Sequence, residues 1–342
     1  MASGQSRFLT FESYLPDGTL DETFFKLGTR PVPRPEDGQV LLRPVGFSLD
    51  PAMRGQLSGR ADFALVPPPA PGEALSGPAI GRVVESRHGD HAVGDLVSGV
   101  LDWADHAVWP RPNDWMGLTR VDPRFGKPSH AFGVYGINGV SAYFGIVEVA
   151  RPRPGETVLV SAAAGSVGSL AGQIAKIHGA RVIGLAGTAD KRELLTSRLG
   201  FDATLDYRAA DLADQLRELA PAGPDVYFDN VGGALSQLVM TQMRRPARVV
   251  ECGQIATYND SDAAWTVDIR AMHSNGLRFE GFTPALFLDE WPAAVDQLLA
   301  WVQDGRLVPL ETELHGLESL PRALSGLFAG RNVGKMVVTV PE

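Results

Sequence analysis

The stretch SAAAGSVGS, residues 161–169, lies between the apolar run ETVLV (156–160) and the helix-patterned LAGQIAKIHG (170–179). A strand, a glycine turn and a helix in that order form the arrangement that holds a dinucleotide pyrophosphate. The familiar fingerprint spaces three glycines as G-x-G-x-x-G. Here Ala163 stands in the first place, with Gly165 and Gly168 in the second and third. Alone, a two-glycine turn is a weak signal, and a packing turn without a ligand is the alternative. In context, Gly165 permits a tight turn, Gly168 permits close helix–strand packing, and the helix N-terminus offers free N–H groups and a positive dipole end to phosphate. Ala164, Gly165, Ser166, Val167 and Gly168 are therefore the candidate pyrophosphate residues.

The pattern around the turn predicts the fold. From about residue 135 onward, helix SAYFGIVEVA gives way to strand TVLVSA, helix SVGSLAGQIAKIHG, strand RVIGLAG, helix TADKRELLTSRLG and strand DATLDY. Helix AADLADQLRELA, strand PDVYFDNVG, helix GALSQLVMTQM and strand ARVVECG continue the alternation, and helix EWPAAVDQLLAWVQDG follows. Strict alternation predicts an α/β architecture with a doubly wound parallel sheet, right-handed crossovers and helices on both faces. The first 125 or so residues differ. QVLLRPVGFSL and PAIGRVVES read as strands, separated by Pro- and Gly-rich segments such as LVPPPAPGEALSGP, so a small β-rich barrel or sandwich is expected. The tail KMVVTV is a strand with no helix after it and is predicted to return to that first sheet.

A chain of 342 residues is too long for one ordinary core, so two domains are expected. The net charge of −9 and the lack of a basic stripe argue against nucleic acid as a partner. No run approaches the roughly 18 apolar residues of a membrane span. The beginning, MASGQSRFLTFES, has no apolar signal-like segment, so a cytoplasmic location is expected. The single cysteine, Cys252, excludes an intramolecular disulfide and a cysteine zinc cluster, and its place at the end of ARVVEC predicts a buried, inert thiol.

The choice between NAD and NADP lies at the end of the second strand. NAD binders carry an acidic residue there for the ribose 2′-hydroxyl. Here the slot holds Ala186, Gly187 and Thr188, and the cations Lys191 and Arg192 follow, with Asp190 beside them. This pattern favours NADP, although the two cations could equally be solvated residues of a helical turn.

Several further segments join these in one order along nearly the whole chain: LDPAMRG (49–55), NGVSAYFGIVEVARPRPGETVLVSAAAGSVG (138–168), YFDNVGG (227–233), CGQIATYN (252–259), GLRFEGF (276–282) and NVGKMVVTV (332–340). Together they resemble the zinc-independent medium-chain dehydrogenase/reductases, within them the branch of prostaglandin/leukotriene reductases, plant alkenal double-bond reductases and bacterial curcumin-reductase-like enzymes. The resemblance implies a GroES-like catalytic domain (1–126 with 306–342), a Rossmann NADP-binding domain (127–305), an active site in the cleft between them, NADP(H) as cofactor and a homodimer. It assigns the 2′-phosphate to Lys191 and Tyr207, and it places Ser141, Asn230, Asn259 and Asn332 near the cofactor. Each of the last two asparagines could also serve its own turn. Asp50, Ala52 and Met53 would line the substrate pocket, with a buried pair between Arg54 and Asp50 as the alternative. Where zinc-dependent relatives carry ligands, this chain reads SLDPAM and PGEALSG, and no metal is expected. His88 and His91 in RHGDH read as a solvated turn.

Without a metal, hydride chemistry needs a substrate that accepts charge. A double bond conjugated to a carbonyl does so, because the charge lands on oxygen as an enolate. Tyr258 follows a predicted strand at the end where ligands gather, and a phenol, titrating near about 10, carries a proton to donate at neutral pH. It matches the family tyrosine, and a tyrosine merely capping the core is the alternative. NADPH-dependent reduction of the C=C bond of α,β-unsaturated ketones or aldehydes is the expected activity. A quinone reductase of the same superfamily and a non-catalytic nucleotide-binding protein are the alternatives. Two departures from the branch bear on the substrate: Ala52 stands where the family commonly has tyrosine, and YGINGVSAY replaces the usual Met-Pro-Gly segment.

Overall fold

The computed structural model describes residues 4–59, 67–111, 117–260, 266–267 and 269–341. The chain forms two compact units. Unit 1 comprises Met1–Phe132, Tyr258–Ser261 and Thr312–Glu342, and unit 2 comprises Gly133–Thr257 and Asp262–Glu311. The crossings at 132/133 and 311/312 each fall six residues beyond the expected 126/127 and 305/306, and Tyr258–Ser261, expected in the second domain, group with unit 1.

Unit 1 is built on antiparallel strands. β1 (Gln5–Phe11) pairs with β2 (Phe25–Pro31). β3 (Val40–Leu49) is buried along almost its whole length because β4 (Ser76–Ser86) lies on one side and other strands on the other. Between β3 and β4 the chain makes a 3₁₀ turn, Pro51–Met53, with proline at its start, where the missing N–H costs nothing. That turn runs into a short helix, α1 (Arg54–Ser58), which sequence periodicity did not reveal. β5 (Leu96–Asp102), β6 (Ala107–Trp109) and β7 (Thr119–Arg120) complete the first half of the sheet. The core between these strands contains Phe11, Phe47, Leu49, Leu57, Leu101 and Trp103, all essentially inaccessible to solvent.

Unit 2 opens with α2 (Ile137–Phe144), which widens into a π-helical turn, Gly145–Ala150, and ends at Arg151 in the left-handed region (φ 47°). The single helix expected over 141–150 is therefore two segments of different pitch. The alternating part follows: β8 (Thr157–Val160), α3 (Ser166–Ile177), β9 (Arg181–Leu185), α4 (Ala189–Ser197), β10 (Ala203–Leu205), α5 (Leu212–Leu219), β11 (Val226–Asp229), α6 (Gly233–Gln242) and β12 (Ala247–Glu251). α7 (Ile269–Asn275), β13 (Leu277–Gly281) and α8 (Trp291–Gln303) end it.

The six strands pair in parallel in the order β10-β9-β8-β11-β12-β13. Val158, Leu159 and Val160 are each 0% exposed, which is why β8 reads as an unbroken apolar run rather than an alternation. The chain runs outward from β8 to β10, then crosses back to β11 on the other side. The reversal lies between β8 and β11, so the crevice of this sheet opens beyond Val160 and Asp229.

The chain then returns to unit 1. β14 (Glu311–His315), α9 (Leu320–Phe328) and β15 (Lys335–Thr339) follow, and β15 pairs antiparallel with β3, Met336 opposite Leu49. The tail strand thus sits in the sheet of unit 1, and Leu320, Ala323 and Leu324 of α9 close its core.

Candidate active site

In unit 2 the glycine turn begins at the end of β8 and is fixed from below by a buried carboxylate. Asp229, the last residue of β11, is 0% exposed. Its Oδ1 accepts from Ser161 Oγ (3.0 Å), Tyr227 Oη (2.9 Å), Val231 N (2.9 Å) and Gly232 N (3.1 Å), and its Oδ2 accepts from Ser236 Oγ. A buried charge is tolerable only when surrounded by donors in this way. Ser161 in turn accepts from the backbone N–H of Asn230 (2.8 Å), and the Asn230 side-chain amide donates to Ser161 O (2.8 Å). The start of the turn after β8 and the loop after β11 are therefore one hydrogen-bonded body.

The turn itself explains the missing first glycine. The residue in the left-handed region is Ala162 (φ 46°), not Ala163. Its carbonyl accepts from Gly165 N at 2.9 Å, and a Cβ on Gly168 would lie 2.5 Å from that same oxygen. Gly168 is thus required by close packing, while position 163 accepts alanine. The first intrahelical bond of α3 runs from Ser169 N to Gly165 O. The N–H groups of Ser166, Val167 and Gly168 find no acceptor among the described residues, and Ser166 Oγ is buried without a partner. Open N–H groups at a helix N-terminus beside an orphaned hydroxyl fit a pyrophosphate.

The end of β9 fits an adenosine ribose carrying a phosphate. A Cβ on Gly187 would lie 2.9 Å from Tyr207 Cε1 and 3.2 Å from its hydroxyl, so an acidic side chain could take the place it has in NAD binders only by displacing the Tyr207 ring. Tyr207 itself is 46% exposed. Lys191 sits in the first turn of α4, where Thr188 Oγ1 caps its N–H, and burial lowers its ammonium below the ordinary lysine range. Arg192 is not available in the same way. It donates to Ala186 O (3.2 Å) and Asp206 Oδ2 (3.0 Å).

Ser141 lies in α2, and its hydroxyl donates to Ile137 O (2.6 Å). At the end of β12, burial and the charge of Asp229 push the Glu251 carboxyl up to about 8, opposed by a bond from Gln254. Burial and the same carboxylates push the neighbouring Cys252 thiol up to about 12, so it is not a thiolate nucleophile.

Unit 1 carries the remaining candidates. Tyr258 is half-buried and lies in the turn segment that joins this unit. Its neighbour Asn259 is held twice: its carbonyl accepts from Gly18 N (2.8 Å) and its Oδ1 accepts from Arg54 Nε (2.9 Å). Arg54, only 2% exposed, also donates to Leu15 O (2.5 Å) and Gly18 O (3.3 Å). The buried pair between Arg54 and Asp50 is therefore not formed. Asp50 takes Lys335 instead, through Nζ to Oδ1 at 2.5 Å, together with Ser48 Oγ to Oδ2 at 2.5 Å. Asp50 thus ties the turn after β3 to β15. Met53 is 4% exposed and packs in the core beside Trp103 and Gly77, so it too belongs to the core. Ala52 is half-buried on the 3₁₀ turn. Asn332 gives its side-chain amide to Gly334 O (2.8 Å), the turn-serving alternative. His88 and His91 do not form a solvated turn. Both rings pack on Trp109 with centroids 5.6 Å away, and His91 is 9% exposed. No group of three or more His, Cys, Asp or Glu side chains converges as metal ligands among the described residues.

Sequence reasoning passed over Asp229, Ser161 and Glu251. The available signal was an acidic residue closing an otherwise apolar strand, in VYFD and in ARVVE. Such a residue is buried and must be partnered or protonated.

A family model described as the N-terminal domain of oxidoreductase matches residues 9–116, and one described as zinc-binding dehydrogenase matches residues 166–300. The chain is 36% identical over 334 residues to an NADPH-dependent curcumin reductase of Escherichia coli, covering 95% of this chain and 94% of that one. It is 35% identical over 302 residues to an NADP(+)-dependent 2-alkenal reductase of Nicotiana tabacum, covering 88% and 87%. Among solved structures, CurA in complex with NADPH from Vibrio vulnificus aligns with a TM-score of 0.89 at 33% identity, over 98% of this chain and 99% of that one.

Two outcomes follow from this geometry. Gly187→Asp should raise the Kd for NADPH more than about tenfold without tightening NADH, because the new side chain displaces the Tyr207 ring and faces phosphate with like charge. Fluorescence titration with both cofactors checks this, and tighter NADH binding would count against it. Glu251 holds a proton in the folded chain that the unfolded chain releases, so stability falls as pH rises from about 4.5 to about 8. Glu251→Gln removes that slope. Its advantage in melting temperature over the parent should grow from pH 5 to pH 8, whereas parallel curves would refute the assignment.

Proposed function

The chain belongs to the medium-chain dehydrogenase/reductase family, in the branch of the curcumin, 2-alkenal and prostaglandin reductases, and from this premise we propose that it reduces the C=C bond of α,β-unsaturated ketones or aldehydes. It is an NADP-dependent oxidoreductase. The observation that carries the cofactor half of the reading is the Gly187 seat under Tyr207, with open N–H groups at the start of α3.

In this reading Ser166, Val167 and Gly168 hold the pyrophosphate, and Lys191 and Tyr207 hold the 2′-phosphate. When bound, NADPH supplies the hydride that the conjugated β-carbon takes up. Tyr258 donates its phenolic proton in a hydrogen bond to the substrate carbonyl oxygen, where charge develops as the β-carbon is reduced. A proton taken up from solvent at the α-carbon balances the hydride and completes the saturated product. Arg54 and Gly18 hold Asn259, and through it set the backbone from which Tyr258 projects. Ala52 leaves the 3₁₀ turn without an aromatic side chain, which favours substrates bulky at that end.

The proposed assembly is a homodimer formed through unit 2. β13 ends the parallel sheet, with Glu280 exposed and Leu286 (69%) and Leu288 (58%) presented by the 3₁₀ segment that follows. Among the described residues no further strand pairs with β13, and a sheet edge beside exposed leucines is a surface that self-association covers.

Purified protein mixed with NADPH should lose absorbance at 340 nm on adding a 2-alkenal or an aryl enone, faster than on adding a simple quinone. Tyr258→Phe should lower kcat by on the order of 10²-fold with NADPH binding unchanged. No turnover on any enone, or an unaltered kcat in the variant, would overturn the reading. Light scattering should give twice the chain mass for the parent and the monomer mass for the double variant Leu286→Glu, Leu288→Glu. A parent that runs as a monomer would remove the dimer.

A further inference from the structure

The segment after β10 places more charge around Gly187 than Lys191 alone. Asp206 accepts from Arg192 Nη1 (3.0 Å), from the backbone N of Arg208 (3.0 Å), and from Arg208 Nε (3.2 Å) and Nη2 (3.4 Å). Arg208 Cζ stands 5.7 Å from the Tyr207 ring centroid. A Cβ on Gly187 would lie 3.3 Å from that same Cζ, beside the contacts it would make with the Tyr207 ring. Tyr207 and Arg208 thus face one glycine at the end of β9, and Asp206 sets the direction of the guanidinium.

A surface ion pair alone is worth little, and at 57% side-chain exposure the Arg208–Asp206 pair contributes little to stability. The arrangement has more meaning as a preorganised cation. One carboxylate is shared by two arginines, which leaves one positive charge in excess, and Lys191 in the adjacent turn supplies a second. A phosphate monoester carries about −1.5 to −2 at neutral pH. A guanidinium already held over an aromatic ring and oriented by a carboxylate loses less freedom when it meets phosphate.

We propose that Arg208, held over the Tyr207 ring and oriented by Asp206, is a specificity-determining residue that contacts the adenosine 2′-phosphate of NADP(H) together with Lys191. The proposal rests on NADP(H) as the cofactor and adds a second cation to its phosphate seat. Asp206 is a positioning residue. It aims the guanidinium and never meets the nucleotide.

Calorimetric titration with 2′,5′-ADP and with 5′-AMP tests this without turnover. Arg208→Gln should weaken 2′,5′-ADP about tenfold, the loss of one charge-assisted hydrogen bond in a solvent-facing site, and leave 5′-AMP unchanged. Arg208→Lys should recover part of the loss, because it keeps the charge but not the planar fork. Lys191→Ala serves as the control. If it weakens 2′,5′-ADP while Arg208→Gln does not, the proposal fails and the NADP reading stands. If Arg208→Gln weakens 2′,5′-ADP and 5′-AMP alike, Arg208 acts on the fold of the loop and the proposal also fails. If neither variant alters 2′,5′-ADP, the seat lies elsewhere and both assignments fall.

Discussion

The buried carboxylate of Asp229 is the constraint on which the nucleotide half of the molecule depends. It lies where the parallel sheet reverses direction, at the point where two neighbouring strands send their loops to opposite sides. An unpartnered charge at that depth would cost several kcal/mol, so the fold must bring donors to it. Besides Tyr227 of β11, those donors are Ser161, which opens the glycine turn, Val231 and Gly232 of the loop after β11 and, from α6, Ser236. Satisfying the charge and shaping the phosphate site are one structural event. The loops need to be rigid, because a helix N-terminus binds phosphate only if its N–H groups already point at it.

Affinity and choice of cofactor are separated along the sheet. The turn after β8 presents backbone N–H groups, which cannot tell one dinucleotide from another. The proposed discrimination lies one strand away, beyond β9, where Gly187 leaves room for an aromatic ring and cations instead of a carboxylate. On that proposal, cofactor preference can change at Gly187, Lys191 and Tyr207 without disturbing the turn. Unit 1 follows a similar economy: the buried Lys335–Asp50 pair fixes the last strand to the turn after β3, and Arg54 fixes the segment carrying Tyr258.

What the sequence made legible is what depends on near neighbours. The glycine turn, the alternation of strands and helices, and the return of KMVVTV to the first sheet all follow from local pattern and burial. The partners of buried charges do not. Asp50 meets Lys335 across 285 positions and Arg54 meets Asn259 across 205, so the pair offered as the alternative by their closeness in LDPAMRG is not the one that forms. Met53 reads as a pocket residue beside Ala52, yet one step along a 3₁₀ turn puts it into the core. His88 and His91 look solvated because their loop is rich in glycine and aspartate, while the ring that covers them, Trp109, comes from another strand. Arg208 reads as an ordinary loop charge until Gly187 is found beneath it.

The most direct test of this account removes the link between the carboxylate and the turn while leaving both in place. Ser161→Ala deletes the hydroxyl that donates to Asp229 and accepts from Asn230 N. The Kd values for NADPH and NADH, measured on folded protein, should rise together by about tenfold, since the turn holds the part the two cofactors share. Unchanged affinity for both would contradict the claim that Asp229 shapes the phosphate site, and a loss confined to NADPH would place the effect at the wrong end of the nucleotide.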